Sequence, residues 1–200
     1  GRIEFYQNHF NKAIRLGEKA LKLFDLNGER TYYYDLMLIS QAIYLEKVNR
    51  IGDAQNVIEK LLQRRQLHGK IIYSETNQAS LNAYEIQSKL LGKGKQFSQA
   101  AEVAQKGIEL ARVDRSYDRL FELWTTLGGI YTEWNKPHLA KICFQTALKL
   151  QQWIQKDSLL IHTHTQLGRL YLKQDNIPQA LDEFKRSYQY SKTSHDEYGE

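Results

Sequence analysis

Little in this chain suits covalent chemistry: among its 200 residues stand one cysteine, one methionine and two prolines. A single thiol excludes an intrachain disulfide framework and fits a reducing compartment. Cys143 lies between Ile142 and Phe144, so a small buried hydrophobe is expected there rather than a reactive thiol. Two prolines leave helical hydrogen bonding nearly uninterrupted. No stretch approaches the roughly 20 apolar residues of a membrane span, and the start carries no signal-peptide pattern. A membrane partner is therefore not expected, and the expected location is cytoplasmic.

Concentrated charge is also missing. The 28 Lys and Arg exceed the 23 Asp and Glu by only five and are interspersed with them, which favours solubility over nucleic-acid binding. The densest basic pair, Arg64 and Arg65, falls at the end of a predicted helix, where cations suit the dipole. No direct nucleic-acid contact by this segment is expected. Gly92-Lys93-Gly94-Lys95 lacks the spacing and the preceding strand of a phosphate loop. His162 and His164 are two apart and do not share a helix face, and no acidic or cysteine ligands complete a tetrahedral set beside them. The remaining residues assemble no nucleophile, base and orienting group. The chain reads as non-enzymatic, without metal or cofactor.

What the sequence does hold is a period. Trp124, Leu127, Gly128, Tyr131, Ala140, Phe144 and Ala147 are followed 40 residues later by Leu167, Gly168, Tyr171, Ala180, Phe184 and Ser187. Ala100, Ala104 and Gly107 precede the second half of that set by the same 40, Ala54, Ile58 and Leu61 lie 46 further upstream, and Ala13, Gly17 and Ala20 a further 41. A repeat of this length accommodates two antiparallel helices that bury their apolar faces against the next pair. Pro137 and Pro178 stand at equivalent helix openings, where the missing amide costs least. Glycine inside a helix is about 0.8–1 kcal/mol worse than alanine, so Gly128 and Gly168 imply close approach of a partner helix, with Phe144 and Phe184 reaching into the layer between units.

The expected helices run to about Gln7 and from Phe10 to Phe24, then Arg30 to Lys47, Gly52 to Arg65, Lys70 to Gly92, Ser98 to Arg112, Tyr117 to Trp134, Pro137 to Trp153, Leu159 to Lys173 and Gln179 to Tyr190, with Asn27-Gly28 as a turn. Gly1 falls where a first helix should already be under way, so a partial opening unit, and a fragment of a longer protein, are expected. The tail after Thr193 is expected to fray or to begin a continuation.

The order large residue, Leu-Gly, Tyr, Ala, Phe, Ala resembles the tetratricopeptide repeat. The match is close over 121–154 and 161–194, looser over 81–114, and in phase over 35–68 and a partial unit at 1–28. The resemblance implies an all-α, right-handed superhelical array of helix hairpins, one domain over 1–200, whose concave face binds a peptide or protein segment. Family units are about 34 residues, so six extra residues lengthen each helix by nearly a turn. Long units of this kind are similar to those of the peptide-responsive regulators of Gram-positive bacteria, the Rap, NprR and PlcR group. That likeness implies the sensory part of an intracellular regulator that takes up a short signalling peptide.

In such an array the first helix of each hairpin lines the concave side. The positions left open by the packing residues carry Asn82, Glu85 and Lys89 in one unit, Thr125 in the next, and Gln166, Arg169 and Lys173 in the last. An extended peptide needs donors and acceptors for its own backbone, which Asn and Gln side chains supply together. Asn82 and Gln166 are accordingly the backbone-clamp candidates, and Arg169 with Lys173 the candidates for holding a carboxylate. Of Tyr32, Tyr33 and Tyr34, which point in three directions, at least one belongs in the core. Two other functions are compatible with these residues: a structural scaffold or oligomerisation segment, and the regulatory domain of a DNA-binding transcription factor or phosphatase. A homo-oligomer fits either.

Overall fold

Alternating helix-length apolar patterns and short polar links give nine α-helices and no strand among the described residues of the computed structural model, which are 2–26, 32–67, 74–154 and 156–197. They are α1 (Arg2–Leu26), α2 (Tyr32–Lys47), α3 (Ile51–Leu67), α4 (Ser74–Lys93), α5 (Phe97–Val113), α6 (Tyr117–Glu133), α7 (Pro137–Leu148), α8 (Asp157–Lys173) and α9 (Ile177–Glu197). The expected turn at Asn27-Gly28 and the expected helix start at Lys70 lie outside the described residues.

Three boundaries differ from expectation. The opening helix is unbroken through Asn8 and His9, because neither residue is a glycine or proline and nothing there interrupts the hydrogen-bond ladder. The helix that begins at Pro137 stops at Leu148 rather than Trp153. There the chain tightens into a 3-10 turn, Gln151–Trp153, and the Trp153 indole stacks on Tyr117 at the start of α6, with ring centroids 5.6 Å apart. The tail stays helical to Glu197.

The chain divides into two compact units, Gly1–Gln96 and Phe97–Glu200, and the expected repeat 81–114 straddles that division. In the first unit α2 packs against α1, α3 and α4 around Ile14, Tyr34, Leu38, Ala42, Ile58 and Leu61. Of the three consecutive tyrosines, Tyr34 is the buried one and Tyr33 the exposed one. The Tyr34 hydroxyl donates to Asp25 at 3.1 Å, and the Arg64 guanidinium lies over its ring at 5.0 Å. Arg64 also binds the buried Asp35 carboxylate at 2.5 Å, so this one of the two arginines foreseen as a dipole complement supplies an internal counterion.

In the second unit α6 packs against α5, α7 and α8, and α8 against α9. Phe144 is fully buried among Ala140, Leu167 and Leu170, and Phe121 among Ala147 and Leu160. The two helical glycines do what their position implied. A Cβ on Gly128 would stand 2.6 Å from the Phe144 ring, and one on Gly168 would stand 2.5 Å from the Phe184 ring.

Helices end alike in both units. Asn49, Lys95, Arg115, Asn135 and Asp175 each take a positive φ between 53° and 62°. After each, the next amide reaches back five residues, as from Lys136 to the Tyr131 carbonyl at 2.8 Å and from Asn176 to the Tyr171 carbonyl at 2.9 Å. This closure satisfies carbonyls that the helix end would otherwise orphan.

Candidate functional site

The open side of the second unit is built on α8, which is held from two directions. Toward α6, the Thr163 and Thr125 hydroxyls share a hydrogen bond of 2.8 Å, and the Lys173 ammonium meets Glu133 at 2.8 Å. Toward α9, the Thr165 and Ser187 hydroxyls are 2.9 Å apart, and His164 Nδ1 lies 2.6 Å from a Glu183 carboxylate oxygen. These ties set the orientation of one stripe on α8, made by residues 162, 166, 169 and 173, spaced four, three and four along the helix.

The expected contact residues fall differently within this frame. Arg169 is exposed and has no acidic partner among the described residues, and Gln166 beside it is half-buried with its amide unbonded among them. Thr125 is 2% exposed and engaged with Thr163, so it faces the helix interface and not the open side. The small side chain that suits a groove suits a close helix crossing equally well. Lys173 is on the stripe but already paired, and the carboxylate it grips is the protein's own Glu133. Gly129 holds in α6 the place that Arg169 holds in α8, and a Cβ there would have nothing within 4 Å. It leaves bare backbone and a shallow opening one repeat before the arginine.

In the first unit Asn82 is half-buried on α4, and the Glu85 and Lys89 side chains, one helical turn apart, form an ion pair with each other. Such a pair is worth only a few tenths of a kcal/mol on a helix surface, and a ligand could exchange it. Lys93 of α4 holds Glu46 of α2 at 2.5 Å, the same kind of tie that Lys173 makes to Glu133. The sequence signal was available: an acid near the end of one first helix and a lysine at the corresponding place in the next.

His164 is the functional-looking residue with the most definite alternative role. It occupies in α8 the position that Trp124 occupies in α6, and Glu183 stands where α7 has Cys143. The ring stacks on Tyr190 at 5.6 Å and 11°, so a hydrogen-bonded polar pair fills the space taken one repeat earlier by an indole and a thiol. No cluster of three or more potential metal ligands occurs among the described residues. Burial pushes the Cys143 thiol up to about 12, which leaves it protonated and unreactive near neutrality.

Residues 121–152, which contain most of α6 and α7, match the tetratricopeptide repeat family. The fold is a tetratricopeptide-type α-solenoid. Solved structures agree over nearly the whole chain. BtubC (BKLC) from P. vanneervenii superposes with a TM-score of 0.71 at 15% identity, over 98% of this chain and 76% of that one. A MamA RS-1 double mutant gives 0.60 at 18% identity, with 98% of both chains covered. A kinesin light chain candidate from Podosopora anserina with nearly identical TPR-like repeats gives 0.67 at 12% identity, over 96% of this chain and 93% of that one. No curated protein matches the chain in sequence at a significant level. No described helix of this solenoid is long and apolar enough to cross a membrane.

Proposed function

We propose that this solenoid is a non-catalytic protein-binding scaffold, and that the open face of α8 holds an extended, acidic segment of a partner protein. The observation that carries this reading is the Gln166 and Arg169 pair. On a helix whose Thr163 and Lys173 are tied to α6 and whose His164 and Thr165 are tied to α9, these two remain able to bond outward. Arg169 would grip a carboxylate in a two-pronged hydrogen bond, Gln166 would serve a backbone amide and carbonyl together, and Gly129 would let the segment approach the α6 backbone. The relatives named above give no support to the narrower expectation of a peptide-sensing regulator, and the scaffold reading needs no such signal. Location in the cytoplasm remains part of this proposal, in keeping with a single cysteine that can form no intrachain disulfide.

The test is fluorescence anisotropy of an array of nine-residue acidic, neutral and basic peptides against the 200-residue chain. Acidic peptides are expected to bind, with at least a ten-fold loss in Arg169→Ala and a smaller loss in Gln166→Ala at unchanged helicity. Equal affinity for all three classes, or an unchanged affinity in Arg169→Ala, would sink the assignment.

A further inference from the structure

The two cations of the α8 stripe have a filled counterpart inside the same chain. Two repeats earlier, 80 residues before Arg169 and Lys173, stand Lys89 and Lys93 of α4. Both are occupied by carboxylates: Glu85 holds Lys89, and Glu46 holds Lys93 at 2.5 Å. In α8 only one of the two places is filled. Glu133 holds Lys173 at 2.8 Å, but the residue that corresponds to Glu85 is Thr165, whose hydroxyl is bonded to the Ile161 carbonyl and to Ser187. Arg169 therefore lacks the acid that its counterpart has, and α4 shows that cations four apart on one helix can each hold a carboxylate at once.

The acid on Lys173 is an exchangeable occupant. The Glu133 side chain is 66% exposed and that of Lys173 49%, and an ion pair so exposed contributes little, because water serves both groups nearly as well. The ammonium keeps its place without the carboxylate. It also lies 3.5 Å from the Thr132 carbonyl, at the end of α6 where a cation is favoured, and it has three hydrogens to donate. Glu133 can turn out to solvent while Lys173 stays in the stripe.

Spacing dictates what could replace it. Four residues of helix advance roughly 6 Å. In an extended segment, side chains on one side recur at every second residue, about 6.6–6.8 Å apart, while residues one or three apart point to opposite sides. We infer, on the footing that α8 seats an acidic segment as proposed above, that this segment carries two acidic residues separated by one other. One acid meets Arg169, and the other displaces Glu133 from Lys173. Glu133 is then a built-in competitor that occupies half of the site until the right pattern arrives.

Nine-residue peptides in a neutral background, acetylated and amidated so that no terminal charge contributes, test this by fluorescence anisotropy. One carries a single glutamate. Three carry two glutamates that are adjacent, two apart or three apart, and so share one net charge. The pair two apart is expected to bind about five-fold more tightly than either other pair, a factor within the range of an exposed ion pair. Glu133→Gln should tighten binding of that peptide about three-fold, and more than it tightens any other, because the competitor is gone. Lys173→Met should erase the spacing preference. Circular dichroism of each variant reports whether the helices are kept. Equal affinity of the three charge-matched pairs would overturn the inference. So would a gain in Glu133→Gln that is the same for every acidic peptide, which is the general effect of removing one negative charge. If the single-glutamate peptide loses affinity in Arg169→Ala while spacing makes no difference, the seat on α8 stands and the two-acid pattern falls. If no acidic peptide responds to Arg169→Ala, both fall.

Discussion

At the scale of single residues, two adjacent glycines of α6 have opposite reasons to exist. Gly128 faces the Phe144 ring, which is fully buried and cannot retreat, and Gly129 faces open space. Gly128→Ala should therefore destabilise the protein by about 1–3 kcal/mol, the usual cost of overpacking. Gly129→Ala should instead stabilise it by up to about 1 kcal/mol through helix propensity. Urea denaturation of the two variants checks the pair, and a stability gain in Gly128→Ala would show that the ring contact is not what keeps the glycine there. The Leu-Gly motif of the sequence pointed to the first of these glycines and said nothing about the second, because the difference lies in what stands across the gap. Thr125 shows the same gap in legibility. Its position in the period marked it as groove-facing, yet the crossing of α6 and α8 places its hydroxyl on Thr163.

At the scale of elements, five helices end in the same left-handed closure without using glycine for it. A non-glycine residue in this conformation costs roughly 1–2 kcal/mol, less for Asn and Asp, whose short polar side chains tolerate it. Arg115, between α5 and α6, has a φ of 53° and no such dispensation. Arg115→Gly should raise stability by up to about 1 kcal/mol, offset in part by the greater freedom of glycine in the unfolded chain, while Asn135→Gly should gain less. Thermal unfolding of the two variants decides the order, and a loss in Arg115→Gly would mean that its side chain does more than tolerate the turn. Sequence patterns placed these helix ends within a few residues but could not name the closure, since none of the five residues is the glycine that usually marks it. The same blindness applies to the end of α7, where Trp153 leaves the helix to meet Tyr117, a residue 36 positions earlier in the chain.

At the scale of the whole molecule, the period makes positions 40 apart interchangeable in principle, and His164 with Glu183 tests how far. Their counterparts are Trp124 and Cys143. Glu183→Cys alone removes the acceptor of a buried imidazole N–H and should cost about 1–3 kcal/mol. His164→Trp combined with Glu183→Cys transplants the pair from the preceding repeat and should recover most of that loss. Chemical denaturation of both single variants and the double variant measures the coupling. Additive losses would mean that the repeats share a backbone plan but not a packing plan.

The sequence by itself determined the all-α class, the two-helix period, the glycine-to-phenylalanine clearance and the lack of metal or nucleophile motifs, because each rests on spacing along one chain and helical geometry turns spacing into a shared face. It also marked Arg169 and Gln166 as outward-facing. Only the tertiary structure decided which candidate contacts stay available. Lys173 is taken by Glu133 and Thr125 by Thr163. Those outcomes depend on which helix lies beside which, and a hydrogen bond between residues 38 apart leaves no mark on either residue's local pattern.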